Sequence, residues 1–209
     1  MIDKPPVREM IDNFKLCFLG DAGHPNLTSW LIHLSKNISE PIHCLTFNEP
    51  FQSIPNVVFH LFPKAISKTK LRYILASFHT RRFVQIFNPN VLVAYRINSY
   101  GLTAYLSAFK PFVLIAQGTD IFFSSNFLIN RFFIQLITKK AALVHSWSPH
   151  MENRLRELGA DLKNSFVLPK GIDTNLFVPD DAPDGETIYF VTTRQLRESY
   201  CHDLILDAF

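Results

Sequence analysis

Short apolar runs alternate along most of the chain with longer stretches whose apolar residues recur at helical spacing. "FKLCFLG" (14–20) is an apolar run closing on Gly, followed by the loop "DAGHPN". In "LTSWLIHLSKN", Leu27, Trp30, Leu31 and Leu34 fall on one helical face, so the unit reads strand, loop, helix. "IHCLTF" (42–47) and "NVVFHLF" (56–62) predict short strands. Residues 66–87 predict one helix, with Leu71, Ile74, Leu75 and Phe78 on its apolar face and Lys68, Lys70, Arg72 and Arg81 beside it. "VLVAY" (91–95) and "PFVLIA" (111–116) are continuous apolar runs, the pattern of strands covered on both faces. A short helix, "SYGLTAYLSAF", lies between them. "NFLINRFFIQLITKK" predicts a helix and "AALVHSW" a strand. "SPHMENRLRELG" predicts a helix opened by Ser148-Pro149 and closed by Gly159, and "SFVLP" a last strand.

Strands alternating with helices specify an α/β fold built on a parallel sheet. Residues 1–13 read as an N-terminal arm, 14–179 as one Rossmann-like domain and the polar, Pro-rich 180–186 as a linker. In 187–209, "TIYFVTTR" predicts a new strand and "SYCHDLILDAF" a helix with apolar residues Leu204, Ile205 and Ala208. This reads as the start of a second, incomplete α/β domain.

Composition narrows the class. Of 209 residues, 47% are hydrophobic and 19% charged, which suffices to fill a core and excludes a disordered chain. Cys17, Cys44 and Cys201 are scattered without CxxC or Cys/His spacing, so they read as reduced thiols and no metal or cofactor site is expected. The polar N-terminus is not a secretory signal, and "IFFSSNFLINRFFIQLIT" carries too many polar residues to span a bilayer. The expected location is cytoplasmic, peripheral at the inner face of the membrane.

The net charge of +3 hides an uneven distribution. From Pro50 to Met151 there are eleven Lys and Arg and a single acid, Asp120. Such a field attracts anions: phosphates, a nucleic acid or an acidic membrane. No RRM, KH or helix-turn-helix signature is present, so no nucleic-acid partner is expected. Basic residues beside amphipathic helices fit an anionic membrane surface or a merely solvated face.

In an open parallel sheet the ligand crevice lies beyond the carboxyl ends of the strands. Three predicted loops there carry unusual chemistry. In "GDAGHPN" (20–26), Gly20 and Gly23 allow close backbone approach and the following helix N-terminus favours a phosphate, although the loop lacks GxGxxG and also fits an ordinary turn. In "AYRINSYG" (94–101), Arg96, Asn98 and Ser99 are ligand candidates or a solvated Arg with helix-capping neighbours. In "AQGTD" (116–120), Asp120 either caps a helix or, held ionised by the basic field, binds sugar hydroxyls. His145 has no nucleophile partner at a telling spacing, and "WSPH" lacks the GxSxG elbow of hydrolases.

Four blocks carry a family resemblance: "KLCFLGDAGHPNLTSWLIHLSK", "FKPFVLIAQGTDI", "SPHMENRLRELGADLKNSFVLPKGIDTNLFVP" and "TTRQLRESYCHDLILDAF". In this order they resemble glycosyltransferase family 4, the group 1 glycosyltransferases. "LPKGIDTNLF" is similar to the family's P-N-G-V-D-x-x-x-F, and "QGTD" to its H/W-G-S/T-D/E element. The last block resembles the R-x-L-x-x-x-Y-x-x-D-x-L-x-x-A-F opening of the donor domain, with Ile205 for the second Leu.

The resemblance implies a GT-B architecture: two Rossmann-like domains, the second truncated here. It implies a retaining transferase moving a sugar from a nucleotide-diphosphate donor to a glycan or lipid-linked acceptor of the cell envelope, without a metal in the active site. By motif position, Gly23, His24 and Arg194 are expected near donor phosphates. Asp120 and Gln117 are expected at the reacting sugar, and Arg96, Asn98 and Ser99 on the acceptor side. Gln117 replaces the His of many relatives, Tyr200 the usual Lys, and Lys170 the Asn of P-N-G. The family's Glu-x7-Glu motif would fall past Phe209, so the chain alone is expected to be inactive. Two alternatives stand beside this reading: a fragment that binds acceptor or membrane without turnover, and a GT-B nucleotide-sugar epimerase.

Overall fold

The computed structural model describes residues 12–69, 71–122, 128–172, 174, 177, 178, 191–193, 196 and 200–208. The chain divides into two compact units, Met1–Lys170 and Gly171–Phe209. The first holds a seven-stranded sheet of order β3-β2-β1-β4-β5-β6-β7, parallel throughout. The strands are β1 (Leu16–Leu19), β2 (Ile42–Thr46), β3 (Val57–Leu61), β4 (Val91–Tyr95), β5 (Phe112–Ile115), β6 (Leu143–Ser146) and β7 (Ser165–Val167). The helices are α1 (Pro25–Ser35), α2 (Lys64–Ser67), α3 (Arg72–Phe87), α4 (Tyr100–Ser107), α5 (Gly118–Phe122), α6 (Leu128–Lys140), α7 (Pro149–Glu157) and, in the second unit, α8 (His202–Asp207).

Period-two alternation sorts the strand residues into two cores. Cys17, Leu19, Leu92, Ala94, Phe112 and Leu114 point to one face, where they meet Ala76 and Val84 of α3, Ala104 of α4, Ile134 and Ile137 of α6 and Leu155 of α7. Leu16, Phe18, Ile42, Cys44, Val93 and Ile115 point to the other, where Leu27 and Leu31 of α1 cover them. The second face is thinly covered toward β5–β7. A trough of about 480 Å³ remains there, lined by Phe18, Trp30, Val93, Ile115, His145 and Phe166 among others. Burial of Cys17 and Cys44 pushes both thiols up from their usual range.

The expected helix over 66–87 is two helices. The chain breaks between α2 and α3 because Ser67 and Thr69 turn their hydroxyls back onto the carbonyls of Lys64 (2.9 Å) and Ile66 (3.0 Å). These local bonds compete with the helical ladder. The remaining helix is turned outward: Ala76, Ser77, Thr80 and Val84 are buried, while Leu71, Ile74, Leu75 and Phe78 are exposed. At α7 the expected ends hold. Ser148 caps the Met151 N–H at 3.2 Å, and Gly159 follows the helix at φ 78°.

In the second unit, α8 exposes Leu204, Ile205 and Leu206. Residues 191–193 of the predicted strand "TIYFVTTR" carry no regular structure, and its other residues, with the expected linker 180–186, lie outside the described residues.

Candidate functional site

The order β3-β2-β1-β4 reverses direction between β1 and β4, and in doubly wound sheets the ligand crevice opens at that reversal. Two of the flagged loops leave these two strands. The third leaves β5, the neighbour of β4.

Gly20 ends β1 because nothing larger fits. A Cβ there would stand 2.5 Å from Leu27 Cδ2 and 3.2 Å from Tyr95 Cβ, so its absence lets α1 pack against the strand ends. The loop then closes on itself. The Ala22 N–H donates to Thr46 Oγ1 (3.0 Å), the Gly23 N–H to Asp21 Oδ1 (3.1 Å) and the His24 N–H to the Asp21 carbonyl (3.0 Å). His24 is the N-cap of α1, its Nδ1 accepting the Asn26 N–H at 3.2 Å, with Pro25 in the first turn. The neutral ring therefore carries its proton on Nε2. Its pKa is lowered, first by burial and then by the charges of Arg96 and Lys170, against the pull of Asp21. Gly23 thus has no spare N–H for a phosphate: Asp21, a carboxylate, already occupies that donor. The cationic groups gathered here are side chains. Lys170 reaches the same place from past β7, its Nζ on Asn26 Oδ1 at 3.0 Å.

After β4, Arg96 adopts φ 83°, a left-handed conformation costly for a residue with a Cβ. Its Nε donates to Gln117 Oε1 at 2.7 Å, joining the β4 and β5 loops. The turn at Arg96 aims the next N–H, that of Ile97, at Asp120 Oδ2 (2.7 Å). Asp120 Oδ1 accepts the Gln117 N–H at 3.0 Å, and the Asp120 carbonyl accepts from Asn98 Nδ2 at 3.2 Å. Gln117 precedes α5 and Asp120 is its third residue, so the carboxylate reaching back to the Gln117 N–H is one arm of a capping box.

The geometry supports the capping expectation for Asp120. It is 4% exposed, and each of its oxygens accepts a backbone N–H. Its neighbours do not hold it ionised at ordinary carboxylate strength. Burial pushes its pKa up to about 7, outweighing the Ile97 and Gln117 N–H groups and the charge of Arg96, which pull it down. Ser99 is the N-cap residue of α4, yet its hydroxyl makes no capping bond and is buried without a partner among the described residues. Asn98 holds Asp120 instead of capping. Arg194 lies outside the described residues.

Sequence reasoning did not single out Asp21, Tyr95 or Trp147, and met Lys170 only as a departure from a motif. Tyr95 is buried with its ring 6.4 Å from that of Trp147, and among the described residues neither the Tyr95 hydroxyl nor Trp147 Nε1 has a hydrogen-bond partner. The apolar run "VLVAY" signals burial of Tyr95 but not an orphaned hydroxyl. His145 packs edge-on to Trp30 and bonds the Leu168 carbonyl through Nε2 at 2.9 Å, a structural role. Among the described residues, no three His, Cys, Asp or Glu side chains could together hold a metal ion.

Arg96, paired with Gln117, and Lys170, paired with Asn26, both lie near enough to His24 at the β1–β4 switch point to act on its charge. Known proteins share the fold. Sucrose-phosphate synthase from Thermosynechococcus elongatus aligns with a TM-score of 0.60 at 12% identity, over 80% of this chain and 51% of that one. Anabaena HepE in complex with UDP and glucose aligns with a TM-score of 0.57 at 17% identity, over 81% and 48%. UDP-N-acetylglucosamine 2-epimerase from Rickettsia bellii aligns with a TM-score of 0.54 at 12% identity, over 74% and 44%. The chain thus spans about half the length of these proteins. No curated protein sequence matches it. The family model "Glycosyl transferase 4-like" matches residues 15–148, from the start of β1 to the cap of α7 and across all three flagged loops. A match over well more than half of its length, on a GT-B type Rossmann-like sheet, means that the chain belongs to the glycosyl transferase 4-like family.

Proposed function

We propose that this chain is the acceptor-side half of a retaining glycosyltransferase that takes a sugar from a nucleotide-diphosphate donor to a glycan or lipid-linked acceptor of the cell envelope. The observation that carries the reading is the convergence of the cations Arg96 and Lys170 with the neutral His24 ring at the switch point of a family-matched sheet. Sugar transfer from such a donor leaves negative charge on the departing diphosphate, and fixed positive groups in a partly dry site stabilise it. Arg96 is fixed by Gln117, and Gln117 by Asp120. Asp120 is then a positioning residue rather than a catalytic one. The HepE relative is a complex with UDP and glucose, which supports a uridine nucleotide as the first donor to try.

The test is calorimetric binding of UDP to the protein, followed by incubation with radiolabelled UDP-glucose and a membrane extract. UDP binding that Arg96→Ala weakens tenfold or more supports the site, and label entering a glycan or lipid fraction supports transfer. Full affinity in Arg96→Ala would remove the site. The fold is equally that of a nucleotide-sugar 2-epimerase. Release or epimerisation of the sugar without any acceptor would favour that second reading, and UDP binding without turnover would favour a binding fragment.

A further inference from the structure

The helix α3 is apolar on both sides. Its inner side buries Ala76, Ser77, Thr80 and Val84 and half-buries Tyr73, Phe83 and Phe87 against the core. Its outer side carries further large apolar residues: Phe78 is 67% exposed and Ile86 79%, with Ile74 and Leu75 on the same stripe and Leu71 just before the helix. A helix that packs only inward is polar on its outer side. An outward apolar stripe of this kind marks a surface meant to be covered.

The charges around the stripe point to the occupant. Lys64, Lys68, Arg81 and Arg82 are all exposed, and no acid occurs between Pro50 and Thr119. The nearest acid before that region, Glu49, is also exposed and lies next to the rim. A protein partner needs no such one-sided field, whereas an anionic bilayer takes basic side chains at its headgroups and Phe, Leu and Ile at the acyl boundary. α6 repeats the pattern, exposing Leu128, Ile129 and Phe132 around Arg131, and α4 packs between the two helices. Among the described residues, no helix is long and apolar enough to cross a membrane.

The topology aligns this surface with the crevice. α3 starts after the carboxyl end of β3 and ends before the amino end of β4, so Leu71 lies at the crevice end of the sheet. Leu61 closes β3 at that end and is exposed. Phe51 is exposed as well, and its N–H donates to the carbonyl of Ala22 in the crevice loop at 2.9 Å.

We propose that the outer face of α3, with the rim residues Phe51, Leu61 and Leu71, is a docking surface for an anionic lipid bilayer. The crevice mouth then opens at the headgroup layer. The docking stands on the surface alone; that it presents a membrane-borne acceptor rests on the transferase reading.

The experiment is co-sedimentation of the 209-residue protein with vesicles of phosphatidylcholine alone and of equimolar phosphatidylcholine and phosphatidylglycerol. Binding is expected to the anionic vesicles and to weaken with added salt. Arg81→Gln with Arg82→Gln should lower it about 25-fold, at roughly fivefold per basic residue. Phe78→Glu with Ile86→Glu should abolish it, and Phe78→Ser should weaken it if the double variant fails to fold by circular dichroism. No sedimentation with anionic vesicles at low salt overturns the proposal, as does equal binding to both vesicle types. Light scattering that shows a dimer dissolved by the same Glu substitutions overturns it in favour of a second copy of the chain. Loss of vesicle binding with intact UDP binding would leave the transferase reading standing.

Discussion

The carboxylate of Asp120 accepts the Ile97 N–H at 2.7 Å and thereby ties the loop after β4 to the loop after β5. Its second oxygen accepts the Gln117 N–H, and Gln117 in turn holds Arg96. A buried acid thus sets the position of a basic side chain at the crevice without facing the crevice itself.

Replacing Asp120 by Asn keeps the shape but puts an amide –NH2 where one backbone N–H needs an acceptor. One buried donor is left unpaired, at a cost of about 1–3 kcal/mol. Asp120→Asn should lower the melting temperature measured by circular dichroism and weaken UDP binding indirectly by loosening Arg96. The pH dependence isolates the carboxyl further. Its folded pKa of about 7 lies above the ordinary 3.8, so between these values the folded state holds a proton that the unfolded state has lost. The contribution is full below about pH 4 and disappears as pH rises through 7. Urea midpoints should fall from pH 4 to pH 7 in the parent and lose that component in Asp120→Asn. An unchanged slope would mean the carboxylate is ionised throughout.

A pair of histidines contributes the opposite slope. His43 Nδ1 and His60 Nε2 are 2.8 Å apart, with ring planes within 10° and centroids 5.0 Å apart, so the contact is an in-line N–H···N bond between neighbouring strands. Burial lowers both pKa values, and at His43 the charge of the neighbouring His60 lowers it further. A neutral pair has one donor and one acceptor between the rings; a doubly protonated pair has two donors facing. Between the lowered folded values and 6.5 the unfolded state binds more protons, so stability falls as pH drops through that window. His60→Gln should flatten this acid limb in urea titrations, and a limb of unchanged steepness would show that the pair does not titrate.

The outline of the fold was readable because each strand has a compact apolar run and each helix its own spacing. β4 and β5 are the clearest cases: "VLVAY" and "PFVLIA" predict strands covered on both faces, and Leu92 and Val93 do divide between the two cores. The site was readable only as positions. Asp120 stood out through the absence of other acids, but that pattern carries charge and not depth. Its burial arises from two loops folding over it, 23 residues apart at the Ile97 contact. Lys170 could not be placed beside His24 from the sequence, since its bond to Asn26 spans 144 residues. The apolar face of α3 was visible, and its outward direction was not, because spacing defines a face without saying what covers it.

Gly20 tests the packing that sets the crevice floor. An alanine methyl would come within 2.5 Å of Leu27 Cδ2 and 3.2 Å of Tyr95 Cβ, and Leu27 is fully buried. Overpacking of this kind costs about 1–3 kcal/mol. Gly20→Ala should lower the melting temperature, and Leu27→Ala added to it should recover part of the loss. Additive losses in the double variant would show that the two sites do not clash.

His24 does two things that substitution can separate. As N-cap it accepts the Asn26 N–H, and as a crevice group it carries a proton on Nε2 close to Arg96 and Lys170. Asn is among the best N-caps, whereas Ala removes the acceptor at about 0.5–2 kcal/mol. His24→Asn should therefore melt close to the parent, and His24→Ala below it. Both should lose whatever the ring contributes to holding an anion. Because the ring is neutral near pH 7 and burial lowers its pKa, that contribution should grow as pH falls through the lowered value and the ring becomes charged. Calorimetric titration of UDP across pH 5 to 8 should show affinity rising toward acid in the parent, with the rise reduced in both variants. Equal pH profiles in parent and His24→Asn would confine His24 to its cap.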